Sequence, residues 1–67
     1  MLTIKLNGKE KQVQEETTVQ DLLDELEIKT KMIVVEKNLE ILPKENFSSC
    51  KVAEGDSFEI VGFFGGG

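Results

Sequence analysis

Leu2-Thr3-Ile4-Lys5-Leu6 alternates apolar and polar side chains without a break, and Asn7-Gly8 follows it directly. Alternation with a period of two marks a strand with one buried face, here Leu2, Ile4 and Leu6. Asn-Gly is the strongest short hairpin signal, because a two-residue turn sets both central residues at positive φ and these two tolerate it. The return strand is Lys9 to Gln14, polar except for Val13, as suits the edge of a sheet. Residues 2–14 therefore predict a β-hairpin, and the rest of the chain is read by what must pack on it.

Glu15-Glu16-Thr17 reads as a turn, and a helix start follows. Thr18 is the expected N-cap, with Asp21 in a variant capping box. Val19, Leu22, Leu23 and Leu26 form one apolar stripe, and Gln20, Asp21, Asp24 and Glu25 take the other face. The helix is expected to run about three turns, to end near Glu27, and to have Ile28 packing just beyond it. A helix that short is stable only when docked on a sheet. Met32-Ile33-Val34-Val35 predicts a second strand that is apolar on both faces, as in an interior strand or one with a face kept for a partner. Met32 is expected to fill the core.

Lys37-Asn38 turns the chain into a short strand, Glu40-Ile41-Leu42, stopped by Pro43. Lys44 to Lys51 is irregular, with Phe47 expected to plug the core. Glu54-Gly55-Asp56 is a tight turn. Ser57 to Phe64 is the last strand, with Phe58 and Ile60 on one face and Glu59, Val61 and Phe63 on the other. One helix across one face of a mixed sheet of four to five strands is an α+β plan. The expected organisation is a single domain over residues 1–64 and a flexible tail over residues 65–67.

Composition narrows the chemistry. A chain of 67 residues is one domain, and near this size only about 60% of the unfolded surface is buried. The net charge is −5, which argues against a nucleic-acid phosphate binder. All 8 basic residues are Lys, so bidentate guanidinium recognition is missing. His, Tyr and Trp do not occur, and the lone Cys50 can form neither an internal disulfide nor a cysteine zinc site. No apolar run approaches the roughly 18 residues of a membrane span, and no signal-peptide pattern opens the chain. A cytoplasmic protein is expected.

Catalysis from this inventory would rest on carboxylates and lysines alone. A substrate, carrier or binding module is therefore expected and not an enzyme, with no catalytic side chain, no metal and no bound cofactor. Glu15-Glu16 and Asp24-Glu25 read as solvated faces. Cys50 reads as a small semi-buried residue, since no His or Arg lies near it in sequence to activate a thiolate.

The chemical feature is the end of the chain, Gly65-Gly66-Gly67. No side chain there can react, so the candidate reactive group is the carboxylate of Gly67. Without Cβ atoms Gly65 and Gly66 can thread a channel too narrow for other residues. Three extended residues reach about 10 Å. A glycine tail loses much entropy on binding, so affinity must come from the folded surface beside it, and Val61, Phe63 and Phe64 are the candidate docking residues. A flexible linker would leave the same three glycines, but linkers tend to follow polar closing residues, and here a hydrophobic strand runs straight into them.

Leu2–Leu6, Asn7-Gly8, Thr18-Val19-x-Asp21-Leu22-Leu23, Ile33 to Asn38, Leu42-Pro43, Gly55-Asp56 and Glu59-Ile60-Val61-x-Phe63-Phe64-Gly-Gly-Gly together resemble the ThiS family of sulfur carriers in thiamine biosynthesis. The resemblance spans the whole chain. It implies a β-grasp, ubiquitin-like fold. It also implies a cycle run by partners. A ThiF-type enzyme would use ATP to adenylate Gly67, a cysteine desulfurase or another donor would supply sulfur to form a thiocarboxylate, and a ThiG-type thiazole synthase would take the sulfur for the thiazole ring. The free carrier would be a monomer. After Asn38 the family commonly has Gly, whereas this chain has Leu39, and Leu disfavours the positive φ of such a turn. Two other readings share the plan: a MoaD-like small subunit of molybdopterin synthase, and a ubiquitin-like protein modifier or interaction module.

Overall fold

The structure is a computed structural model and describes residues 1–28 and 32–62. Five strands and one α-helix appear in the order β1 Leu2–Leu6, β2 Lys9–Val13, α1 Val19–Glu25, β3 Ile33–Lys37, β4 Glu40–Leu42 and β5 Ser57–Gly62, with a 3₁₀ turn at Lys44–Asn46 before β5. The strands form one mixed sheet in the order β2-β1-β5-β3-β4. The last strand in sequence is therefore the central one. It runs parallel to β1 and antiparallel to β3.

Period-two alternation sorts the sheet into two faces. Ile4, Val13, Val35 and Phe58 point inward and join Val19, Leu22 and Leu23 of the helix in one buried cluster, closed by Phe47 and Val52. Leu2, Leu6, Ile28, Ile33, Leu42, Cys50 and Ile60 pack around it. The Asn7-Gly8 turn has φ of 50° and 84°, and β2 lies at the sheet edge, as the hairpin reading requires.

The helix is capped at both ends by local chemistry. Thr18 Oγ1 accepts the Asp21 N–H at 3.1 Å, and the Asp21 carboxylate accepts the Thr18 N–H at 3.1 Å. The next open donors are met by a loop: Val19 N–H donates to Cys50 O and Gln20 N–H to Phe47 O, each at 2.9 Å.

The helix is shorter than its apolar stripe suggests, 7 residues and not three turns. Glu27 takes a φ of 56°. Its N–H donates to Asp24 O at 3.0 Å and the Ile28 N–H to Leu23 O at 3.3 Å. That pair of bonds is a Schellman closure, which ends the helix while swinging Ile28 back onto the core. Leu26, read as part of the buried stripe, caps the helix and is exposed.

Met32 also departs from its expected place: it is 65% exposed and does not fill the core. It precedes β3, whose inward positions are Ile33 and Val35, so the pleat points Met32 away from the helix. The β3–β4 turn keeps the two-residue geometry despite Leu39, with Asn38 at φ 51° and Leu39 at φ 73°.

Candidate functional site

The tail-bearing strand is held from both flanks. On the β3 side the ladder with β5 runs unbroken from Lys37↔Phe58 to Ile33↔Gly62. At its start, Asn38 acts as a bracket: its N–H donates to Ser57 O at 2.8 Å, its Oδ1 accepts the Ser57 N–H at 2.9 Å, and its Nδ2 donates to Asp56 Oδ1 at 3.2 Å. Asp56 is buried, and its Oδ2 accepts the Ala53 N–H at 2.8 Å. The sequence marks both residues as turn formers, but the side-chain bonds between them join positions 18 apart and have no local signal.

Val61 points outward on β5 and is 51% exposed. Directly opposite it on β3 is Val34, also exposed, and Ile41 of β4 lies diagonally beyond on the same face. Sequence reading singled out Val61 alone of the three. Val34 was legible only as part of a strand apolar on both faces. Glu36 and Glu59, opposite each other on this face, border the apolar strip with negative charge. The other candidates, Phe63, Phe64, Gly65, Gly66 and Gly67, lie outside the described residues.

Elsewhere the charged groups make surface pairs. Glu16 sits against Lys51, whose hydrogen bond and charge hold the Glu16 carboxyl below its ordinary range. Lys11 meets Glu25 across the hairpin and helix at 2.8 Å. Cys50 is half-buried, and the Lys37 ammonium donates to its sulfur at 3.6 Å, a neighbour 13 residues away that sequence proximity did not offer. Among the described residues no group of three His, Cys, Asp or Glu side chains is placed to hold a metal ion, and no helix is long and apolar enough to cross a membrane.

A five-stranded mixed sheet with a single helix across one face, and first and last strands parallel at its centre, defines the β-grasp class of small ubiquitin-like proteins. The ThiS family model matches residues 4–67. A sulfur carrier protein ThiS from Bacillus subtilis is 40% identical over 65 residues, covering 96% of this chain and 98% of that one. A thiazole synthase from Paramagnetospirillum magneticum is 44% identical over 62 residues, 92% of this chain but only 19% of that protein's length. A crystal structure of the thiamine biosynthesis protein ThiS from Geobacter metallireducens superposes with a TM-score of 0.83 at 35% identity, covering 98% of this chain and all of that one. The chain belongs to the ThiS family.

Proposed function

We propose that this ThiS-family chain, a small sulfur carrier of thiamine biosynthesis and not an enzyme, works through the carboxylate of Gly67. The observation that carries the proposal is the placement of β5. The central strand of the sheet, anchored on both flanks, leads directly into the residues before Gly65-Gly66-Gly67, with an exposed apolar strip beside its end. The family match extends through residue 67.

The chemistry needs no side chain from the carrier. A carboxylate is a poor acyl donor, so a ThiF-type enzyme first activates it. A Gly67 oxygen attacks the α-phosphorus of ATP, an acyl–phosphate bond forms, and pyrophosphate leaves. The terminal sulfur of a donor persulfide, raised on a cysteine desulfurase or another sulfur system, then attacks the acyl carbon and AMP departs with the C–O electrons. A thiol attacks the donor's own sulfur and breaks the S–S bond, yielding a disulfide and the Gly67 thiocarboxylate. Thiazole synthase consumes that sulfur. That a thiazole synthase carries a stretch 44% identical to this chain supports it as the partner. ATP is used by the partner, and the carrier itself holds no cofactor.

Val61, with Phe63 and Phe64, supplies the docking surface, and Gly65 and Gly66 thread the partner's channel. The free carrier is a cytoplasmic monomer. Intact-mass analysis after incubation with ATP, the activating enzyme and a sulfur source tests this. The expected change is one oxygen replaced by one sulfur, located at Gly67 and lost when Gly66 and Gly67 are deleted. An unchanged mass with active partners would overturn it. Lysine-linked adducts would instead indicate a protein modifier, and a lasting heteromer a molybdopterin synthase subunit.

A further inference from the structure

We infer that Asn7 is a positioning residue for the tail, an inference that rests on the function proposed above. The ladder between β1 and β5 is short, only Lys5↔Ser57 and Leu6↔Phe58, because β1 breaks into its hairpin turn after Leu6. On the β3 side the same strand is paired through Gly62. Backbone pairing with β1 therefore stops four residues short of the end of β5.

Asn7 fills part of that gap with its own amide. Its backbone N–H donates to Phe58 O at 2.8 Å. Its side-chain Oδ1 accepts the Ile60 N–H at 2.8 Å, and its Nδ2 faces Ile60 O at 3.4 Å. A carboxamide carries the same donor and acceptor as a peptide group, so one side chain extends the ladder by one step after the main chain has turned away. The φ of 50° at Asn7 makes this possible, since it sends the backbone into the hairpin turn while the side chain stays in line with β1. Strand alternation turns the next polar pair, at Gly62, to the same side, and among the described residues the bonds of Asn7 to Ile60 are the last on that side. Asn-Gly is read from sequence as a turn signal alone, yet here it also fixes the strand that delivers the reactive end.

The consequence lies in binding. If the end of β5 frays from the β1 side, only a fraction of carriers present the tail beside an intact docking strip, and the apparent affinity for a partner falls by that fraction. Once the tail is seated the partner holds it, so the chemical step is unaffected.

The test compares wild type, Asn7→Gly and Asn7→Asp. Asn7→Gly keeps a residue at ease with positive φ and deletes the clamp. Asn7→Asp keeps the acceptor for Ile60 N–H. Amide exchange at Ile60, with Val35 as core control, is measured alongside loading by the ATP-dependent activating enzyme. The expected result for Asn7→Gly is Ile60 exchange at least about tenfold faster with Val35 unchanged, and a carrier KM raised about fivefold or more at constant kcat. Asn7→Asp keeps the acceptor but turns a carboxylate oxygen toward Ile60 O, so it should restore Ile60 protection and KM only in part.

Three results would overturn the inference: unchanged Ile60 exchange, fast Ile60 exchange with wild-type loading, or loss of protection at Val35 together with Ile60. Failure of wild type to load at all would bring down the proposed function and this inference with it, a result distinct from failure of Asn7 alone.

Discussion

Leu39 sits where side-chain chemistry and turn geometry disagree. Its φ is 73° and the residue is 90% exposed, so it takes the left-handed conformation with almost no packing in return. A left-handed L-residue costs roughly 1–2 kcal/mol, while the extra freedom that Gly gives the unfolded chain offsets roughly 0.5–1 kcal/mol. The first effect is larger, so Leu39→Gly should stabilise the protein by about 0.5–1 kcal/mol, read as a rise of a few degrees in Tm. Glu16 gives a pH prediction. Lys51 lowers its folded pKa, so its contribution is present above the ordinary carboxyl range and is lost as pH falls through the lowered value. Both partners are exposed, so the effect is small and screened by salt. Wild type and Glu16→Gln should differ in Tm at neutral pH and low salt, and the two should converge in acid or at high salt.

At the scale of elements, α1 shows how 7 residues make a helix. Propensity cannot hold so short a segment. The capping box at Thr18, the loop carbonyls of Phe47 and Cys50, the closure at Glu27 and the burial of Val19, Leu22 and Leu23 hold it together. Thr18→Ala should cost about 1 kcal/mol in chemical denaturation, with protection lost first at Asp21, whose N–H bonds the Thr18 hydroxyl. The outer face of β3 and β5 follows a different logic. Val61 and Val34 face each other on the exposed side, so a charge there disturbs no core contact. Val61→Asp should leave Tm within a few degrees of wild type and raise the KM for partner-catalysed loading about tenfold or more, as loss of a central apolar anchor does.

At the scale of the whole molecule, the proposed chemistry at Gly67 asks nothing of the described core. The described core draws on residues 4 to 58. On the proposed function, Gly67→Ala should leave Tm unchanged and slow adenylation, since a Cβ would obstruct the narrow channel that this function requires. Equal loading rates by intact mass for Gly67→Ala and wild type would end the threading argument.

The local plan of this chain was written in its sequence. Alternation in Leu2–Leu6, the Asn7-Gly8 turn, the Thr18 cap and the stop at Pro43 all act over a few residues, where backbone sterics and single hydrogen bonds decide. The outward placement of Val61 was legible for the same reason. Tertiary structure alone decided that the last strand becomes the central one, that Met32 and Leu26 stay outside the core, and that Asn7 and Asn38 grip β5 with their side chains while Asp56 braces Asn38. Those outcomes depend on which distant segments meet. A sheet chooses its strand order by the total apolar surface it can bury under one helix, a quantity that no stretch of sequence contains by itself.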